Sequence, residues 1–106
     1  MIFVKINNTL YPATIDGRVA DSSWDGRESK AITLEMGYAT AINLFVNGLA
    51  WSIVEQTKVD GETEYDNSEY NLAGDITDHR DGTITVKMGK LTALEEAYEI
   101  MFGGNE

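Results

Sequence analysis

The stretch Ala41-Ile42-Asn43-Leu44-Phe45-Val46-Asn47-Gly48-Leu49-Ala50-Trp51-Ser52-Ile53-Val54-Glu55-Gln56 decides how the chain is read. At its centre stands Asn47-Gly48, a pair suited to a tight turn because both residues tolerate positive φ. Apolar residues alternate on either side: Ile42, Leu44 and Val46 before the turn, Trp51 and Ile53 after it. That alternation predicts two strands, 41–46 and 49–56, closed as a hairpin. A helical turn over 38–46 is the competing reading, since Ala39, Ala41 and Leu44 tolerate one; the Asn-Gly signal favours the strand.

The same logic extends outward. Ile32, Leu34 and Met36 alternate with polar neighbours, and so do Ile84, Val86 and Met88, so each segment turns one face to a core. A further hairpin is expected at the N-terminus, with Ile2–Ile6 and 10–15 joined through Asn7-Asn8. Pro12 has no amide to donate, which places that second strand at an edge or at a bulge. Segment 70–77 is another strand candidate, interrupted by Gly74. Asp16-Gly17, Asp25-Gly26, Asp60-Gly61 and Asp81-Gly82 punctuate the chain as turns. Asp16-Gly17-Arg18 and Asp25-Gly26-Arg27 repeat a tripeptide, but their flanks do not match, so no duplication is inferred.

The period changes near the C-terminus. Thr92-Ala93-Leu94-Glu95 matches a capping box, and Leu94, Ala97, Tyr98 and Met101 then follow at helical spacing. Gly103-Gly104 supplies the stop. A helix this short does not stand alone in water and must dock on its own sheet or on a neighbour. The expected architecture is therefore one mainly β domain over 1–106. It is an antiparallel sandwich or barrel of six to seven strands, with strands over 2–88 and a C-terminal α-helix over 93–102.

Composition narrows the function classes. At 106 residues and 42% hydrophobic, the chain can bury a core without staples. It has no cysteine, which excludes disulfides, thiolate metal sites and cysteine catalysis. Eighteen acidic residues against eight basic ones give a formal net charge of -10. That charge argues against direct contact with nucleic-acid phosphates. The acidity concentrates between 55 and 81, where only Lys58 and Arg80 oppose nine carboxylates. The apolar N-terminal run is too short for a signal peptide, and no run approaches the roughly 20 residues of a membrane span. The expected location is the cytoplasm at synthesis.

No catalytic constellation is visible. His79, the single histidine, lies in a turn sequence without neighbouring partners, so an exposed turn residue is expected rather than a catalytic one. Asp75, Asp78 and Asp81 recur every third residue, and 60–66 is a second acidic segment. Together they raise a calcium site, but the spacing is not that of an EF-hand loop, and turn formation explains the aspartates as well. Paired carboxylates for glycoside hydrolysis would need a cleft that a chain this small scarcely provides. The expectation is no enzyme, no cofactor and no metal. Among the aromatic residues, Trp51 is expected in the core. Trp24, in a polar loop, either caps the core or marks a protein contact. Leu94, Tyr98, Met101 and Phe102 form the helix face that is either core or a contact in trans.

With Trp24-Asp25-Gly26-Arg27-Glu28-Ser29-Lys30, the arm 49–53 and the helix 92–104 in view, the chain resembles small proteins encoded in the structural-gene regions of phages and prophages of Gram-positive gut bacteria. Those proteins are similar in length, acidity, lack of cysteine and density of β-turns. The resemblance implies a tail, baseplate or connector component, or an assembly factor. Such a protein works through edge strands and terminal segments, with copies of itself as a homo-oligomer or with other virion proteins as partners. Two other functions fit the composition: an acidic regulatory binder that mimics nucleic acid or inhibits a host protein, and a small carbohydrate- or calcium-dependent binding module.

Overall fold

A computed structural model of the chain describes residues 1–97 apart from Asp25, Asp60, Ala93, Leu94 and Glu96; the side chains of Val19 and Ser23 are not described either. It contains β1 (Ile2–Ile6), β2 (Thr9–Asp21), a 3-10 turn (Ser22–Trp24), β3 (Arg27–Glu35), α1 (Tyr38–Leu44), β4 (Ser52–Thr57), β5 (Gly61–Asp66), β6 (Leu72–Asp78) and β7 (Thr83–Gly89). The fold is mainly β and antiparallel throughout. All seven strands lie in one sheet of order β5-β4-β1-β2-β3-β7-β6. Among the described residues the sheet has two ends, β5 and β6, and no pairing closes it into a barrel.

The long strand β2 holds the two halves together. Thr9 to Pro12 pair with β1, and Ala13 to Asp21 pair with β3. Pro12 therefore sits inside the sheet, not at an edge. It stands opposite Phe3 and just beyond the last β2–β3 pair, Ala13 with Leu34, so its missing amide falls where the strand passes from one neighbour to the other. The β1–β2 turn is made by Asn7 and Asn8, with φ of 52° and 67°. Both lie in the left-handed region that asparagine tolerates and a two-residue hairpin requires.

One face of the sheet carries the core. Val4 and Ile6 of β1, Ile32 and Leu34 of β3, and Ile84, Val86 and Met88 of β7 are buried there with Trp51 and Tyr70. The indole Nε1–H of Trp51 donates to the Tyr70 carbonyl at 2.8 Å, so the buried ring leaves no unmet donor. Alternation in β3 and β7 thus translates directly into packing.

The segment before Asn47-Gly48 is where sequence and structure part. Residues 41–46 do not form a strand: Tyr38–Leu44 is helix α1, and Ala41 and Phe45 enter the core while Tyr38, Ile42 and Val46 are exposed. Ala41, Leu44 and Phe45 recur at helical spacing, and that period wins because the helix lies against β6 and β7, adding a layer that an additional strand would not. The Asn47-Gly48 turn survives as the link from α1 towards β4, with Gly48 at φ 86°. Within 60–66, marked in the sequence only by its acidity, Gly61–Asp66 is strand β5. At the C-terminus the capping box is formed: Thr92 N–H donates to Glu95 Oε1 at 2.9 Å, and Glu95 N–H donates to Thr92 Oγ1 at 3.2 Å. Glu95 and Ala97 are helical; the rest of the expected helix 93–102, including Leu94, Tyr98, Met101 and Phe102, lies outside the described residues.

Candidate interaction surface

Strand β5 begins at Gly61, which adopts φ 71°. It pairs with β4 from Ser52↔Asp66 to Thr57↔Gly61. All six of its residues are exposed, and no strand pairs with its outer side among the described residues. The direction of its backbone groups follows from two hydrogen bonds. Asn67 donates its amide to the Trp51 carbonyl at 2.9 Å, while the Gln56 amide donates to the Met1 carbonyl at 2.9 Å. Stepping by two along the ladder, Gly61, Thr63 and Tyr65 turn their amides and carbonyls to β4. Glu62, Glu64 and Asp66 turn theirs outward. The outer row of main-chain donors and acceptors thus belongs to three acidic residues.

Their side chains share one face of the sheet, because they alternate along the strand. Each carboxylate is already held. Lys5 reaches Glu64 at 3.1 Å across β4, Gln56 donates to Glu62 at 3.0 Å, and Asp66 accepts from Ser68 Oγ at 2.6 Å and Ser68 N–H at 3.0 Å. The hydrogen bond from Ser52, followed by that from Lys5, holds the Glu64 carboxyl below its ordinary range, and Ser68 does the same for Asp66. Glu64 and Asp66 therefore stay charged at neutral pH. On the opposite face, Tyr65 is half exposed.

The other end of the sheet is different. The Asn47 side chain accepts from Ala73 N–H at 2.8 Å, and Gly48 N–H donates to the Asn71 carbonyl at 2.7 Å, so the α1–β4 link occupies part of the outer side of β6. The β6–β7 register also shifts between Ala73 and Ile76, an irregularity that interrupts an edge. Beside it, Tyr38 and Ile42 of α1 and Val46 just past its end form an exposed apolar row.

Trp24 lies on the sheet face opposite the core. Its ring covers Gly74 and Gly89, beside the Lys87 side chain and under the Arg27 guanidinium, 5.0 Å from the ring centre. Arg27 is buried, donates from both terminal nitrogens to the Glu95 carboxylate (Nη2 to Oε2 at 2.8 Å) and caps the Lys90 carbonyl at 3.0 Å. Next to it, buried Asp21 accepts from Lys87 Nζ at 2.8 Å and from Ser29 Oγ at 3.3 Å. A third polar group surrounds Tyr70. Its hydroxyl donates to Glu28, Lys30 lies 4.8 Å from its ring centre and donates to Asn67 at 2.7 Å, and Lys90 lies 3.7 Å from both Glu28 and Glu69. Burial, then the bond to Glu28, pushes the Tyr70 phenol up to about 12. Such a phenol is a poor nucleophile, and the group reads as a structural network.

Of the remaining sequence candidates, Asp75 and Asp78 lie in β6, and His79 and Asp81 follow in the link to β7. His79 touches Thr85 Oγ1 at 2.7 Å and is exposed. Asp78 accepts from Arg80 N–H at 2.9 Å, and Asp81 accepts from Thr83 N–H at 3.0 Å and Thr83 Oγ1 at 2.6 Å. Both aspartates shape the β6–β7 turn. Among the described residues no group of three histidine, aspartate or glutamate side chains stands close enough to hold a metal ion. No helix of the described residues is long and apolar enough to cross a membrane. The outward row on β5 and the buried Asp21 and Arg27 are not singled out in the sequence. The alternation Glu62-Thr63-Glu64-Tyr65 after Asp60-Gly61 is the one signal that marks β5, whereas nothing local distinguishes Asp21 or Arg27 from surface charges. No protein-family model matches the chain, and no curated protein or solved structure matches it.

Proposed function

We propose that this protein is a non-enzymatic assembly component that works through sheet-edge contacts, in the tail or virion setting its sequence resembles. The observation that carries this reading is β5, a strand of six exposed residues whose outer row of main-chain groups pairs with no strand among the described residues. An edge of this kind is costly to leave open, because it invites pairing with other chains. It is retained most simply where pairing is the purpose. The face that the sequence predicts for Leu94, Tyr98, Met101 and Phe102 belongs to the same proposal as a second contact.

The test is sedimentation of particles released from cells that make the protein in its native setting. The expected result is that the chain travels with tail- or virion-sized particles, and that Glu64→Pro reduces its share. Proline removes an outward amide and leaves the β4 ladder intact, as it does on edge strands generally. A chain found only in the free fraction, at every stage of particle formation, would overturn the reading.

A further inference from the structure

We infer that the outer edge of β5 docks an extended segment of another protein in which lysine or arginine recurs at every second residue. The inference rests on the edge-contact reading above and adds the chemistry of the partner.

The register of β5 sets the geometry of any added strand. A strand laid along β5 pairs with the backbones of Glu62, Glu64 and Asp66, which face outward. Residues directly opposite one another in a pair of strands project to the same face, with Cβ atoms about 5 Å apart. The residues opposite the three carboxylates therefore point to the carboxylate face. Along each strand they recur about 6.8 Å apart, twice the rise per residue. Basic side chains at alternate positions match that spacing. The molecule already contains one instance of the contact: Lys5, in extended β1, meets Glu64 at 3.1 Å from two strands away. A docked strand would lie one strand away on the other side. The intervening residues of the guest would fall on the face of Thr63 and Tyr65, where the exposed phenol ring offers an apolar surface.

A second copy of this chain does not fit. Its basic residues are Lys5, Arg18, Arg27, Lys30, Lys58, Arg80, Lys87 and Lys90, and no two of them are separated by one residue. Pairing β5 with β5 would set carboxylates against carboxylates. Pairing β5 with β6 would meet Asp75 and Asp78 on an edge already engaged by Asn47. The charge that keeps copies apart thus selects a guest of opposite sign, an instance of specificity by repulsion of the wrong partner.

The experiment is a titration of the intact protein with two peptides of identical composition, Thr-Lys-Val-Lys-Thr-Lys-Val and a scramble with its lysines contiguous. Calorimetry gives affinity, and amide hydrogen exchange gives location. The alternating peptide is expected to bind about tenfold more tightly than the scramble and to slow exchange at Glu62, Glu64 and Asp66. It should weaken about tenfold when salt is raised from low to physiological strength. Backbone N-methylation on the side of the guest strand that faces β5 should abolish binding, a control that leaves the protein unaltered. Equal binding of the two peptides, no binding of either, or protection confined to other strands would overturn the inference. If the peptides fail while the chain still sediments with particles, the partner chemistry is wrong and the assembly reading stands. If the alternating peptide binds but the chain never enters particles, the docking edge stands and the assembly setting falls.

Discussion

A methyl group on Gly89 would lie 2.6 Å from Trp24 Cζ3 and 2.6 Å from Arg27 Cδ, and one on Gly74 would lie 2.8 Å from Trp24 Cη2. Neither glycine has positive φ, so what excludes a side chain there is the indole ring, joined at Gly89 by the Arg27 side chain, and not the backbone. Gly89→Ala should cost about 1–3 kcal/mol, the usual penalty of overpacking, measured by urea unfolding. The cost should shrink when Trp24→Ala is present, because the two sites share one space. Glu95 gives a prediction of a different kind. Its bond from Arg27, then that from the Thr92 amide, lowers its pKa from 4.5 to about 2. A depressed folded-state pKa contributes stability that is complete above the unfolded value and lost as pH falls through the folded one. The stability advantage of the native protein over Glu95→Gln should therefore hold above pH 4.5 and fade towards pH 2. A difference that persists unchanged at pH 2 would mean that the carboxylate charge is irrelevant to the contact.

Among the elements, α1 shows why some of the fold was legible and some was not. In β3 and β7 only one period fits: Ile32, Leu34 and Ile84, Val86, Met88 are apolar with polar residues between them, and those side chains are buried. Residues 38–46 satisfy two periods at once. Ile42, Leu44 and Val46 read as a strand; Ala41, Leu44 and Phe45 read as a helix. The choice is made by the space beside β6 and β7, which a local reading does not contain. The two readings bury different residues, so mutation separates them. Phe45→Ala should cost about 3–5 kcal/mol. Ile42→Ser and Val46→Ser should stay within about 0.5 kcal/mol, as exposed positions do. A strand over 41–46 with Ile42 and Val46 inward would give the reverse order in thermal or urea unfolding. Strand β5 was illegible for the opposite reason. It has no apolar face of its own, and its conformation comes from pairing with β4, so a pattern search built on burial passes over it. The candidate surface was missed with it, while the turn aspartates, which were legible, proved to be local architecture.

For the whole molecule the governing quantity is charge. The sequence has a pI of about 4.3, so net repulsion between copies vanishes near that pH. Turbidity of a concentrated solution should peak there. Hydrogen bonds hold the Glu64 and Asp66 carboxyls below the ordinary carboxylate range, so these two positions of β5 keep their charge as the pH falls. Association at the turbidity maximum should accordingly leave the outward β5 amides open to exchange; protection at Glu62, Glu64 and Asp66 in that state would show that the edge pairs with copies once repulsion falls.

The two tryptophans lie on opposite faces of the same sheet: Trp51 in the main core, Trp24 against Gly74 and Gly89 with a guanidinium over its ring. Each face thus carries its own built-in fluorophore, one in an apolar setting and one beside a cation. Spectra of Trp24→Phe and Trp51→Phe can follow the two faces separately during unfolding. Coincident curves would show that the long strand β2 couples both halves into one cooperative unit. Curves that separate would reveal that the face holding Arg27 and Glu95 lets go while the core remains, and would give a fluorescence signal for that partial opening in the intact protein.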